Sequence, residues 1–203
     1  QERAASEPKF DLISMLSHGK DTKDMIQNPL LFLGNILLLI VGGNDTTRNS
    51  MSGGMLALHQ NPTELEKVRQ DRSLIPSMVS EVIRWQTPVI HMRRTATADA
   101  ELGGQTIRMG EKLVLWYISG NRDESVFEHA DAFIVDRPNA RRHLAFGAGV
   151  HRCVGDQLAE LQLRVLFEEI LARGLRFDVI GEPARVYSNF IRGLSAMPMR
   201  MTV

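Results

Sequence analysis

Apolar residues recur at helical spacing in both flanks of the chain and alternate with polar ones in its middle and at its end. Phe10, Ile13, Met15 and Leu16 predict a short helix stopped near Gly19, inside a lead-in over residues 1–28 whose first residues are polar and expected to fray. From Pro29 an apolar segment runs to Val41, with proline at the first helical turn, and the pattern continues past Arg48 to His59 before Asn61-Pro62 ends it. One helix over 29–60 would be about 45 Å long at about 1.5 Å per residue. Residues 62–72 are charged and predict a solvated surface helix; 77–86 are more apolar and predict another, which Thr87-Pro88 ends. Over 95–117, short alternating runs separated by Gly103-Gly104 and Met109-Gly110 predict a small antiparallel sheet. An irregular stretch follows through 133–155. Leu158, Leu161, Val165, Leu166 and Leu171 then predict a helix over 156–173, and alternation around Gly181-Glu182-Pro183 predicts a β-hairpin over 175–203. The fold class is mainly α with small antiparallel β-sheets.

Composition narrows the classes. At 203 residues the chain buries a substantial core as one domain. With 24 basic and 24 acidic residues, neither nucleic acid nor an anionic membrane is the implied partner. The longest apolar run is interrupted by Gly34 and Asn35 and falls short of a membrane span, so a soluble protein is expected. A single cysteine excludes an internal disulfide and fits a reducing, cytoplasmic setting. The chain starts at Gln1 without methionine, and the true N-terminus is expected to be missing.

That cysteine, Cys153, sits in a glycine-rich loop at the start of a helix, where negative charge is favoured. A thiolate is a soft donor suited to iron or copper, and Gly147, Gly149 and Gly155 let backbone approach a flat cofactor. The residues alone leave alternatives: a small buried hydrophobe, a redox-sensing thiol, or a hydrolase dyad with His151 or His143. Gly42-Gly43-Asn44-Asp45-Thr46-Thr47 is equally open. Each glycine costs a helix about 1 kcal/mol against alanine, so the segment is either a break capped by Asn44, Asp45 or Thr46, or one helix opened locally to aim an acid–alcohol pair at a ligand. Glu81 and Arg84, three apart, share a helix face and by themselves read as a surface ion pair; Arg93 and Arg94 read as basic surface.

Phe146, Gly149, His151, Cys153 and Gly155 fit FxxGxHxCxG, which resembles the haem-binding loop of the cytochrome P-450 monooxygenases. Residues 42–47 match that family's distal-helix pattern [AG]Gx[DE]T[ST], and Glu81 with Arg84 resembles its ExxR helix. The resemblance implies that 1–203 is the C-terminal half of a single P-450 domain. It implies haem b with Cys153 as proximal iron ligand, His151 and Arg94 (Arg93 as runner-up) at the propionates, Phe146 beside the sulfur, and Gly147, Gly149 and Gly155 in the cofactor loop. Asp45 and Thr46 would deliver protons to iron-bound dioxygen, supported by Thr47, along one locally opened helix. Glu81, Arg84 and Arg137 would brace the cysteine loop. Leu38, Val41, Gly42, Val89, Ile90 and Phe190 would line the substrate pocket.

The wider sequence, notably 41–50, 84–88 and 158–164, resembles the bacterial alkane-hydroxylase branch. That implies an apolar substrate oxidised with O2 at the terminal carbon of a medium-chain alkane or fatty acid, with electrons ultimately from NAD(P)H through ferredoxin and ferredoxin reductase. It also implies that the isolated chain binds haem weakly or not at all. The rival is a haem-free remnant that binds partners.

Overall fold

The computed structural model describes residues 2–203. The chain folds as two compact units, one ending at Asp45 and one running Thr46–Val203.

In the first unit, a 3-10 turn at Arg3–Ala5 precedes helix α1 (Leu12–His18). Asp11 caps α1 by accepting the Ser14 amide at 2.8 Å, which satisfies one of the unpaired donors of a helix start. Helix α2 (Pro29–Gln60) begins here and continues into the second unit, and its α-helical pattern runs unbroken through Gly42–Asn44. Leu30, Leu37, Leu38, Ile40 and Val41 are exposed along it. Among the described residues α2 is the helix long and apolar enough to cross a membrane by length and composition, with a window of mean hydropathy 1.4 that is 6% buried. The apolar run to Val41, expected to fall short of a membrane span, is part of this longer helix. Asn35, Asn44 and Asp45 lie along the same rod, and such groups are costly in hydrocarbon.

The second unit holds the core. The later part of α2, α3 (Pro62–Gln70), α4 (Ile75–Gln86) and α6 (Asp156–Ala172), with the short helix α5 (Tyr117–Gly120) between the last two in sequence, bury Leu58, Val68, Val82, Leu163 and Phe167 together with Phe133 and Val135. Helix α3 is a surface helix solvated over most of its residues, with Leu65 and Val68, three apart, turning one face inward. Three helices meet at Gly54, where an added Cβ would lie 2.7 Å from Val82 Cγ1 and 3.2 Å from Phe167 Cζ. Gly54→Ala is therefore expected to cost about 1–3 kcal/mol through overpacking, read as a lowered thermal midpoint.

On α6 the buried residues are Leu163, Phe167 and Ile170, whereas Leu158, Leu161 and Val165 are exposed. The apolar positions singled out from the sequence lie mainly on the opposite face. The helix is apolar on two sides, and periodicity does not say which side its own chain covers.

Strand β1 (His91–Thr95) pairs antiparallel with β4 (Lys112–Trp116), and between them β2 (Ala100–Leu102) pairs with β3 (Gln105–Ile107). The sheet thus starts at His91, four residues before the strands expected from Thr95. The C-terminal segment is not one hairpin but two separate ladders. β5 (Arg176–Val179) pairs with β8 (Met199–Thr202), enclosing β6 (Ala184–Arg185) and β7 (Leu194–Ala196). The chain reversal that serves both ladders lies in residues 186–193, after Gly181–Pro183.

Candidate site around the cysteine loop

Among the fully buried polar groups of the second unit is a carboxylate between two guanidiniums. Glu81 accepts from Arg84 through both oxygens, Nε to Oε2 and Nη2 to Oε1, each at 2.7 Å. Arg137 Nε donates to Oε2 at 3.0 Å and the Ile134 amide to Oε1 at 2.9 Å. The Glu81 and Arg84 side chains are 0% exposed, so the pair is not the surface contact its spacing alone suggests. Three residues apart on α4, the two side chains rise from one face, and the remaining guanidinium donors find backbone oxygens. Arg84 reaches Asn121, Ala130 and Ala132; Arg137 reaches Glu128, His129 and Ala132. The irregular stretch 121–137 is thereby folded around side chains instead of around a ladder, which satisfies carbonyls that would otherwise be buried unpaired.

Helix α4 ends at Thr87, which is buried and left-handed at φ 42°. A β-branched residue is an outlier there, yet Pro88 disfavours the right-handed helical alternative. The Thr87 hydroxyl donates to the Arg84 carbonyl at 2.7 Å and accepts from Asn121 Nδ2 at 2.8 Å, holding the turn. Arg122 stacks its guanidinium 3.9 Å from the Trp85 ring centroid and donates to the Trp85 carbonyl. Arg192 donates to the same carbonyl at 2.7 Å. Burial, then the charges of Arg84 and Arg192, brings Arg122 down to about 10, so it stays a cation at neutral pH.

The chain leaving α4 meets the C-terminal segment edge to edge. Ile90 N–H donates to the Phe190 carbonyl at 3.0 Å, Arg192 N–H to the Pro88 carbonyl at 2.8 Å, and Val89 bridges Ile191. Val89, Ile90 and Phe190, far apart in sequence, are thus brought together. His91 adds to this wall, its ring 4.8 Å from Trp116 and 5.7 Å from Phe190. Trp116 was missed from the sequence; the signal available was its place at the end of an alternating strand, opposite the histidine.

The cysteine loop folds back on itself. Gly147 and Gly149 take positive φ of 70° and 67°, and a 3-10 turn covers Gly149–His151. Cys153 N–H donates to the Phe146 carbonyl at 2.9 Å, closing the loop three residues before α6 begins at Asp156. Arg152 pairs with Asp156 at 2.8 Å across the first turn of that helix. The Cys153 thiol is presented to the exterior, with Val150 and Val154 exposed on either side. The Phe146 ring, placed beside the sulfur by the sequence reading, meets His143 edge-on at 5.2 Å and the Arg152 guanidinium at 5.7 Å.

His143 is buried, and its Nδ1 has no hydrogen-bond partner among the described residues, the Cys153 sulfur included. That removes Nδ1 as the base of a thiol dyad. Burial, followed by the Arg152 charge, depresses His143 to about 4. The unfolded chain therefore takes up this proton first as pH falls. Stability is held above about 6.5, the ordinary histidine value, and declines by about 1.4 kcal/mol per unit towards 4. Urea midpoints taken from pH 7 to 4.5 are expected to fall more steeply for the wild-type chain than for His143→Phe.

Arg94 is half-buried opposite Leu113 in the β1–β4 ladder and donates to the Arg93 carbonyl at 2.9 Å. His151 is exposed at the end of the 3-10 turn. Thr46 is half-buried, and its carbonyl accepts from the Ser50 hydroxyl at 3.0 Å. Leu38, Val41, Gly42 and Asp45 are exposed positions of α2 in the first unit.

The donor set fits a porphyrin iron. Among the described residues no three histidines, cysteines or acids cluster to cage a metal ion, whereas one outward thiol suits a metal that brings its other ligands in a flat ring. The apolar skin of Val150, Val154 and Leu158 suits the ring's hydrocarbon faces.

A buried ExxR cluster, a closed glycine-rich loop presenting a thiol and a mainly helical body define a haem-thiolate protein. The chain belongs to the Cytochrome P450 family, whose signature matches residues 3–180. It is 50% identical over 163 residues to linalool 8-monooxygenase of Pseudomonas putida, covering 80% of this chain and 40% of that protein. To the methyl-branched lipid omega-hydroxylase of Mycobacterium bovis it is 44% identical over 167 residues, 80% of this chain and 38% of that one. Cytochrome P450-153 from Novosphingobium aromaticivorans superposes with a TM-score of 0.91 at 56% identity, over 95% of this chain and 48% of its own. The chain thus spans about half the length, or somewhat less, of the relatives it matches. The family uses haem b, with electrons drawn from NAD(P)H through redox partners.

Proposed function

We propose that this chain provides the thiolate side of a monooxygenase that, at full length, places one oxygen atom of O2 into a C–H bond of an apolar substrate, at the terminal carbon of a medium-chain alkane or fatty acid. The observation that carries the reading is Cys153 itself: one thiol, held outward by a loop closed on the Phe146 carbonyl, amid exposed apolar side chains. Haem b bound there would supply the iron that activates O2, using two electrons passed from NAD(P)H by a ferredoxin reductase and a ferredoxin.

The chain's own residues do the rest. Cys153 Sγ would ligate the iron. Gly147 and Gly149 give the loop the reversals that side chains resist, and Gly155 leaves room beside the sulfur, where a Cβ would stand 3.8 Å from Sγ. Arg94 and His151 supply donors for the propionates. The Thr46 hydroxyl and the Asp45 carboxylate would hold and pass the protons that the reaction consumes, while Val89, Ile90 and Phe190 would keep bulk water out.

Leu38 and Val41, exposed and apolar, suit a hydrocarbon. The resemblance to a protein named for omega-hydroxylation and to a P450-153 structure supports the terminal carbon. The single cysteine and zero formal net charge support a cytoplasmic placement. With so much apolar surface open, the 203-residue chain by itself holds haem weakly.

Thr46→Ala in the full-length enzyme is expected to keep haem and substrate binding but to divert oxygen to peroxide, lowering product per NADH severalfold. Unchanged product per NADH contradicts the proton-delivery role. Product analysis with a linear alkane, a fatty acid and a terpene alcohol offered separately tests the substrate class: terminal alcohols from the first two support it, and turnover of the terpene alone contradicts it.

A further inference from the structure

No hydrogen bond of the buried cluster on α4 reaches the loop it was expected to brace. Among the described residues, its hydrogen bonds end on Asn121, Glu128, His129, Ala130, Ala132 and Ile134. None reaches residues 144–155. Something else must carry its position to Cys153.

We propose that Asn121 is the positioning residue that transmits the geometry of the Glu81–Arg84–Arg137 cluster to the cysteine loop. This rests on the haem-thiolate reading. Arg84 takes the backbone oxygen of Asn121 at 2.6 Å, so the main chain of this residue is fixed by the cluster. Its side chain is fully buried. Oδ1 accepts the Leu144 amide at 2.6 Å, and Nδ2 donates to the Thr87 hydroxyl at 2.8 Å. The Leu144 carbonyl then accepts the Gly147 amide at 2.8 Å, and the Phe146 carbonyl accepts the Cys153 amide at 2.9 Å.

A second contact enforces the same docking. Leu144 packs on the residue before Asn121, where a Cβ on Gly120 would come within 2.8 Å of Leu144 Cδ1. The loop entrance is therefore seated on Gly120-Asn121 by shape and by one short hydrogen bond. An amide side chain suits the place because it both accepts and donates. Aspartate keeps the acceptor for Leu144; leucine, of similar volume, keeps neither. The cluster itself bonds only the Asn121 main chain, which every substitution retains.

The test uses the haem-loaded full-length enzyme and reads hydrogen exchange by peptide alongside the absorption of the reduced carbon monoxide complex. Asn121→Leu is expected to raise exchange over 144–153 about tenfold, the factor lost with one buried hydrogen bond, while exchange over 75–86 and 128–137 stays within about twofold. The red-shifted band of thiolate-ligated haem is expected to shrink at constant haem content. Asn121→Asp is expected to restore loop protection. If the leucine variant does not fold, Asn121→Ser, too short to reach Leu144, takes its place with the same outcomes. Unchanged loop exchange, equal loosening of 75–86, or failure of aspartate to restore protection overturns the proposal. A wild-type enzyme lacking the red-shifted band sinks the haem-thiolate reading instead, and the exchange data still decide the role of Asn121.

Discussion

Glu81→Gln is expected to lower stability by about 3–5 kcal/mol, the usual cost of removing one partner from a buried ion pair. The carboxylate takes four hydrogen bonds, three of them from guanidiniums that are almost fully buried. Glutamine can accept through one oxygen only, and its NH2 would face guanidinium donors. Two cations would be left without a counter-charge where water cannot solvate them. Total stability of a domain is about 5–15 kcal/mol, so the loss approaches the whole. A thermal midpoint lower by about 10 °C is the expected result for a chain of this size. Arg84→Lys should fare little better, because an ammonium cannot span both carboxylate oxygens and three carbonyls at once. A shift of the midpoint by less than about 2 °C for Glu81→Gln contradicts this account of the core.

Cys153→Ser is expected to have the opposite profile. The thiol is exposed, and the loop is closed by the Cys153 main-chain amide, which serine retains. The folded chain should therefore change by no more than about 0.5 kcal/mol, as for other exposed positions. A neutral hydroxyl is a poor donor to iron, so in the full-length enzyme the expected outcome is loss of most haem and of product formation by at least about a hundredfold. Urea unfolding of the haem-free forms, set beside haem content after loading, separates the two effects. A serine variant that unfolds as readily as Glu81→Gln would mean that the sulfur serves the fold and not a ligand.

The contrast between these two residues shows what could be read from the chain. The two ends of helix α2 were legible because proline opens it and Asn61-Pro62 closes it, and those signals are local, whereas its continuity through residues 42–47 was left open by the residues alone. The burial of Glu81 with Arg84 was not legible, since the spacing says only that two side chains share a face. The third partner, Arg137, lies 56 residues from Glu81, and periodicity carries no information over that distance. Only the resemblance to a family joined the three.

On α6 apolar residues occupy two faces, and the chain itself covers the one bearing Leu163, Phe167 and Ile170, which was not the stripe picked out from the sequence. The same ambiguity affects α2, whose first half is apolar and exposed. Asn121 escaped notice because an asparagine in an irregular stretch reads as a turn residue. Its meaning comes from what Arg84 and Leu144 place around it. Trp116 was hidden for a similar reason: its partner His91 is set by strand register, and register needs both strands.

The most direct measurement is the absorption spectrum of the full-length enzyme carrying this chain, reduced with dithionite under carbon monoxide. The account predicts stoichiometric haem and the red-shifted band that a thiolate ligand gives. Haem whose band stays at the position of a nitrogen- or water-ligated iron, or a protein that takes up no haem at all, would contradict it.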